Sequence, residues 1–199
     1  MRLGRAALRS GTLRRAVIPT VGTVVTVLAL PGCAEQAADI PGPKGPVEQG
    51  WRVSRVVDGD TIRVRRAGQE RKVRLIGIDS PESVKPDSPV ECFGPQASQF
   101  ASRLLDGQQV VLEFDPSQGD TDRYGRTLAY VWRTLPASDQ AAGSPEAMSF
   151  ALFNLEAIEG GFAREATYAD AYAWQRQFRQ AEDVARSAGA GMWSACDGA

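Results

Sequence analysis

The sequence predicts an α+β domain, a five-stranded Greek-key β-barrel of the OB type with three helices. Three observations predict it. Five short β-rich segments bounded by Gly, Asp and Pro turns recur between Trp51 and Trp132. A single helical stripe separates the third segment from the fourth, and two longer helical stretches trail the fifth.

Each element follows from its residues. Trp51, Val53 and Val56 lead into the turn Asp58-Gly59-Asp60, and Thr61-Ile62-Arg63-Val64 alternates behind it, which reads as strand, tight turn, strand. Ala67-Gly68 makes the next turn, and residues 71–78 form a third strand that Pro81 ends. After a polar loop at 83–92, Gly94 to Leu105 reads as a helix. Pro95 is tolerated in its first turn, and Ala97, Phe100, Ala101, Leu104 and Leu105 form its apolar stripe. Residues 109–114 and 127–132 supply the last two strands. Helices are expected at about 148–159, stopped by Gly160-Gly161, and at 170–188, punctuated by Gly189 and Gly191.

Residues 1–32 do not read as part of this body. Arg2, Arg5, Arg9, Arg14 and Arg15 precede the apolar run AVIPTVGTVVTVLALPG, and no acidic residue occurs before Glu35. A positive segment followed by a short apolar one is the pattern of an export signal. The alternative, a permanent membrane helix, asks for a longer run without Pro19 and Gly22. The closing Leu30-Pro31-Gly32-Cys33 resembles the lipobox of bacterial lipoproteins, whose cysteine is diacylated and becomes the first residue. The expectation is therefore an exported lipoprotein, held on the cell membrane through Cys33 and facing outward. Ordinary secretory cleavage nearby, giving a secreted protein, is the other outcome. Residues 33–49, with three prolines after Ala34, read as a flexible tether, and 50–197 as one domain.

The chain has 23 basic and 24 acidic residues, and the leader holds five of the basic ones, leaving 18 against 24. A mildly acidic mature protein lacks the long-range attraction of a non-specific DNA coat protein. It is compatible with an enzyme that grips phosphates locally and releases them. With Cys33 lipidated, Cys92 and Cys196 remain. In an oxidising compartment they are expected to pair, the alternative being two unrelated small apolar residues.

The chain contains no histidine. Histidine-based zinc sites, Ser–His–Asp catalysis and two-histidine phosphoesterase chemistry are thereby excluded. Three polar segments remain as candidates. Asp58-Gly59-Asp60-Thr61 brings two acids to one hairpin end, although such turns are commonly solvated. In Arg74-Leu75-Ile76-Gly77-Ile78-Asp79-Ser80-Pro81-Glu82, strong curvature at Gly77 is needed to bring Arg74 towards the acids, and the oxygen-bearing strand end suits a hard cation. In Asp120-Thr121-Asp122-Arg123-Tyr124-Gly125-Arg126, an arginine can clamp a phosphate bidentately.

Together these segments resemble the thermonuclease family, the staphylococcal-nuclease-like enzymes. The matching stretches are Val57 to Thr61, Val73-Arg74-Leu75 with Ile78 to Glu82, and Thr121 to Arg126 with Leu128-Ala129-Tyr130. Glu91 to Ala97 and Gly191-Met192-Trp193 look similar to exported members, and the resemblance covers roughly 51–195. It implies calcium held by Asp60, Asp79 and the backbone carbonyl of Ser80. It implies phosphate contacts from Arg74 and Arg126, and Glu82 in the place of the residue that activates water. Tyr124 and Tyr168 would lie near the bound nucleotide. The family's pocket has two tyrosines separated by one residue, of which only Tyr168 is present, and Tyr172 is offered as a substitute. The resemblance further implies cleavage of single-stranded or locally melted DNA and RNA at the 5′-O–P bond, giving 3′-phosphates, by an enzyme expected to be a monomer. The rival reading is a catalytically silent barrel that binds nucleic acid or protein. Such barrels usually lose site acids or arginines, and all five key side chains are present here.

Overall fold

The computed structural model describes residues 42–83, 89–135 and 150–196. The leader, Cys33 and the tether up to residue 41 lie outside the described residues. Among the described residues, no helix is long and apolar enough to cross a membrane.

In chain order the elements begin with β1 (Val47–Asp58), β2 (Thr61–Arg66), β3 (Gln69–Leu75) and β4 (Ile78–Asp79). Then come α1 (Gly94–Leu105), β5 (Gln109–Glu113), β6 (Thr127–Thr134) and β7 (Phe150–Leu152). The chain finishes with α2 (Phe153–Glu159), β8 (Arg164–Glu165), α3 (Gln175–Ser187) and the single turn α4 (Met192–Ala195). The main sheet runs β3-β2-β1-β5-β6, and β3 also pairs with β6 in parallel from Val73↔Thr127 to Leu75↔Ala129. That pairing closes five strands into the expected barrel, leaving no open edge at β3.

Period-2 alternation sets which side faces in. Val53, Ile62, Val64, Val73 and Leu75 are at most 1% exposed, while Arg52, Arg65 and Lys72 stand outside. Trp51, Trp132, Trp174, Phe153 and Phe178 fill the barrel and its helical cover. The Trp132 and Trp174 rings meet edge-on, with centroids 5.7 Å apart.

Two buried carboxylates organise this core. Glu113 is fully buried; one oxygen accepts from the backbone of Lys44 (2.7 Å) and Gly45 (2.8 Å), the other from the indoles of Trp132 (2.7 Å) and Trp174 (3.2 Å). Four donors offset the cost of burying that charge. Asp115 does similar work, accepting from Tyr130 Oη, Ser117 Oγ and the Ala173 backbone.

The differences from expectation have physical causes. The sheet domain starts inside the segment read as tether, because Glu113 holds residues 44 and 45 and Val47 pairs with Glu113. The third strand breaks after Leu75, since Gly77 takes a left-handed conformation (φ 76°) and sends Ile78-Asp79 to pair with Glu165-Arg164. The expected helix at 148–159 begins only at Phe153, as Phe150–Leu152 extends the sheet along β6. The last long helix begins at Gln175 instead of 170, since Tyr172 and Trp174 turn inward and Asp115 binds the Ala173 amide.

Cys92 and Cys196 form a disulfide across a separation of 104 residues. A Cys92→Ala/Cys196→Ala variant is expected to lose about 2–5 kcal/mol, read from urea unfolding of the non-reduced protein. An unchanged midpoint would remove the bond from the stability account. Burial pushes the Asp115 carboxyl up, but its hydrogen bonds outweigh that and hold it below the ordinary 3.8. Its stabilisation is therefore present above 3.8 and lost as pH falls through the lowered value. Asp115→Asn is expected to flatten the acid side of the stability–pH curve. An acid arm identical to wild type would contradict this.

Candidate active site

The β1–β2 turn is not a solvated hairpin. Gly59 packs so closely that a Cβ there would stand 2.7 Å from Ser80 Cβ and 3.1 Å from Ala97 Cβ. The turn is thus pressed onto the strand end at Ser80 and onto α1. Asp58 accepts the Asp60 amide at 3.1 Å and so orients the loop. Asp60, 6% exposed, accepts from Thr61 Oγ1 (2.9 Å) through one oxygen and from the Ser80 amide (2.9 Å) through the other.

Arg74 joins this turn to the next. It is 7% exposed, and its guanidinium pairs with Asp60 Oδ2 at 2.5 Å and with Asp79 Oδ1 at 2.9 Å. A straight strand would have carried Asp79 away, and the left-handed Gly77 folds it back. Burial works against the Arg74 charge, but Asp60, Tyr168 and Asp79 outweigh it and hold the guanidinium protonated above its ordinary value. Tyr168 bridges the pair, accepting from Arg74 (2.8 Å) and donating to Asp79 (2.8 Å). Burial, then the Asp79 hydrogen bond, push this phenol up to about 12 against the pull of Arg74, so it stays a donor at neutral pH.

Arg126 arrives from the loop before β6. Asp122 sets it, accepting the Tyr124 and Arg126 amides at 2.9 Å each and gripping the Arg126 side chain at 2.5 Å. Tyr124 is 68% exposed, with the Arg126 guanidinium 5.4 Å from its ring centre. Glu82 is held through its backbone: its amide donates to Glu91 Oε2 (3.1 Å), and its carbonyl accepts the Glu91 amide (2.9 Å).

These residues converge. A cleft of about 490 Å³ is lined by Asp58, Asp60, Arg74, Asp79, Ser80, Glu82, Glu91, Tyr124 and Arg126. Tyr168 borders it through its bonds to Arg74 and Asp79, whereas Tyr172 does not reach it. Tyr172 is buried and donates to Glu165 (2.8 Å), so it does not replace the missing pocket tyrosine. Sequence reasoning placed Asp58 at the hairpin end without a part in the site, and did not single out Glu91 or Asp122. The i, i+4 spacing of Asp122 and Arg126 was the one available sign.

A hard divalent cation needs several oxygen donors. Among the described residues, no three acidic side chains already form a tight cage. The lining nevertheless holds five carboxylates, all oxygen donors, against two guanidiniums. Burial, then the Asp60 charge, push the Asp58 carboxyl up to about 7, and the four other carboxylates still outnumber the two guanidiniums. A hard cation that takes two carboxylates and keeps waters fits this chemistry.

A closed five-stranded barrel with an acid-and-arginine cleft at one end defines an OB-type protein with a phosphate-compatible site. Residues 72–195 match the model of the family described as staphylococcal nuclease homologue. The chain is 36% identical over 181 residues to a thermonuclease of Staphylococcus hyicus, covering 88% of this chain and 97% of the relative. It is 37% identical over 145 residues to a thermonuclease of Staphylococcus intermedius, covering 73% and 76%. Over 81 residues it is 43% identical to an endonuclease of Bacillus subtilis, covering 40% and 37%. The chain belongs to the staphylococcal nuclease homologue family.

Gly77→Ala is expected to cost about 1–3 kcal/mol through the left-handed backbone alone. Its Cβ would also stand 2.7 Å from the Tyr172 ring. Urea unfolding measures this, and a wild-type midpoint would show that the kink tolerates a side chain.

Proposed function

We propose that this protein is an exported, calcium-dependent nuclease that hydrolyses DNA and RNA at the 5′-O–P bond and leaves 3′-phosphates. One observation carries the reading: Arg74, Arg126 and Glu82 line the same cleft as Asp60 and Asp79. The thermonucleases to which the chain is similar support it.

Asp60, Asp79 and the Ser80 carbonyl would hold the ion. When bound, calcium supplies positive charge against the negative charge that develops on the phosphate. Arg74 and Arg126 direct planar donors at the non-bridging oxygens. Both are fixed before substrate arrives, Arg74 by burial and Arg126 by Asp122. Such preorganised donors act where charge appears in the transition state. Glu82 accepts or orients the proton of the attacking water. Exposed Tyr124 and Tyr168 offer rings to the nucleoside beside the scissile group. The groups assigned above address phosphate and nucleoside rings rather than base edges, so weak sequence preference is expected. Export through the leader, with attachment to the membrane by a lipid on Cys33, completes the reading. It also supplies the calcium-rich surroundings that a modest site needs.

The purified domain should nick single-stranded DNA with calcium and stop when a chelator is added. Equal nicking in both tubes would overturn the metal assignment, and no nicking in either would favour the silent barrel. Glu82→Gln and Arg126→Gln should each lower turnover about a hundredfold or more while the circular dichroism of the fold is retained. A wild-type rate would remove that residue from the mechanism.

A further inference from the structure

Behind the leader, the positive charge of this chain is concentrated in one stretch. Residues 52–74 carry eight basic and three acidic side chains, whereas residues 33–51 and 75–199 together carry ten basic and 21 acidic ones. Strand register arranges part of that excess on one surface. Arg55 lies opposite Arg63, which lies opposite Lys72, so one cross-strand row of β1, β2 and β3 is cationic throughout. The neighbouring row is Arg52–Arg65–Glu70. The inward residues Val53, Val64, Ile62 and Val73 alternate with these, so both rows stand on the outer face of the barrel.

Like charges placed directly opposite each other destabilise a sheet. Glu70 relieves only part of the repulsion, taking Arg63 at 2.7 Å and Arg65 at 2.6 Å. Arg55 and Lys72 are exposed and make no ion pair among the described residues. A surface that opposes its own fold in this way is suited to an external polyanion.

The register also says which polyanion. The next row along the strands is Asp58–Thr61–Arg74, whose two ends, Asp58 and Arg74, line the cleft. Arg74 and Lys72 lie two residues apart on one strand face, about 6.7 Å. The cationic rows are therefore continuous with the phosphate-binding side of the cleft. We propose that the outer face of β1–β3 is a second binding surface, a track on which Arg55, Arg63 and Lys72 hold backbone phosphates of a single strand whose scissile phosphate sits in the cleft. The inference takes the cleft as a phosphodiester site, as argued above. It makes the substrate class a polymer several nucleotides long rather than a dinucleotide.

The test measures binding without cleavage. Dissociation constants for a fluorescent 30-nucleotide single strand are determined in chelator over a range of salt, for the whole mature protein. Arg55→Gln/Lys72→Gln should reduce the slope of log K against log salt by about 1.4, the loss of two ion contacts to a single strand. Arg103→Gln/Arg176→Gln, an equal charge change at exposed positions on α1 and α3, should leave the slope unaltered. Equal slopes for wild type and the first variant would overturn the track. So would an equal loss in both variants, which would mean net charge alone. Vesicles with and without anionic phospholipid form the third arm. Loss of vesicle binding with oligonucleotide binding intact would assign the face to a membrane and overturn the proposal. Because no hydrolysis is involved, absence of nuclease activity and absence of the track are read separately.

Discussion

The structure turns on one guanidinium. Arg74 is almost wholly withdrawn from water, and such a charge is tolerable only with partners on hand. Asp60 and Asp79 supply them, and each is delivered by a different distortion of the chain. The first is a hairpin turn packed tightly enough at position 59 to exclude any side chain; the second is a left-handed kink at Gly77. Barrel closure through β3 and β6 fixes the strand on which Arg74 stands, so the charge cluster and the fold constrain one another.

The internal ion pairs and the excess of acid are two sides of one arrangement. Arg74 neutralises part of the negative charge, and Asp122, outside the cleft lining, occupies Arg126. Burial and the neighbouring Asp60 charge push the Asp58 carboxyl up, deep in the turn. A site built this way sets oxygen donors and fixed guanidiniums side by side in one cleft. The outer face of β1–β3 carries the opposite imbalance only one register row away.

Much of this was legible in the residues. The five barrel strands were legible because apolar and polar side chains alternate from Ile62 to Arg65, and because Gly and Asp mark the turns between strands. The acids and arginines of the cleft were legible only jointly, as three segments in a fixed order. Less was readable where tertiary partners decide. Little that is local tells that Glu113 and Asp115 are buried, since apart from Ser117 their donors come from residues 44, 45, 130, 132, 173 and 174. Phe150–Leu152 reads equally as helix or strand until β6 is beside it. Tyr172 was offered to the pocket on sequence proximity, and its burial against Glu165 follows from a turn that periodicity does not encode.

The sulfur bridge has a further effect on durability. It ties position 92, adjoining the Glu82–Glu91 backbone pair, to position 196. Any single peptide bond hydrolysed between those positions leaves two fragments still covalently joined. A cut in that interval, which spans half the chain, therefore yields one tethered particle that can keep its barrel assembled among external proteases. Only a thiol reductant lets the pieces drift apart.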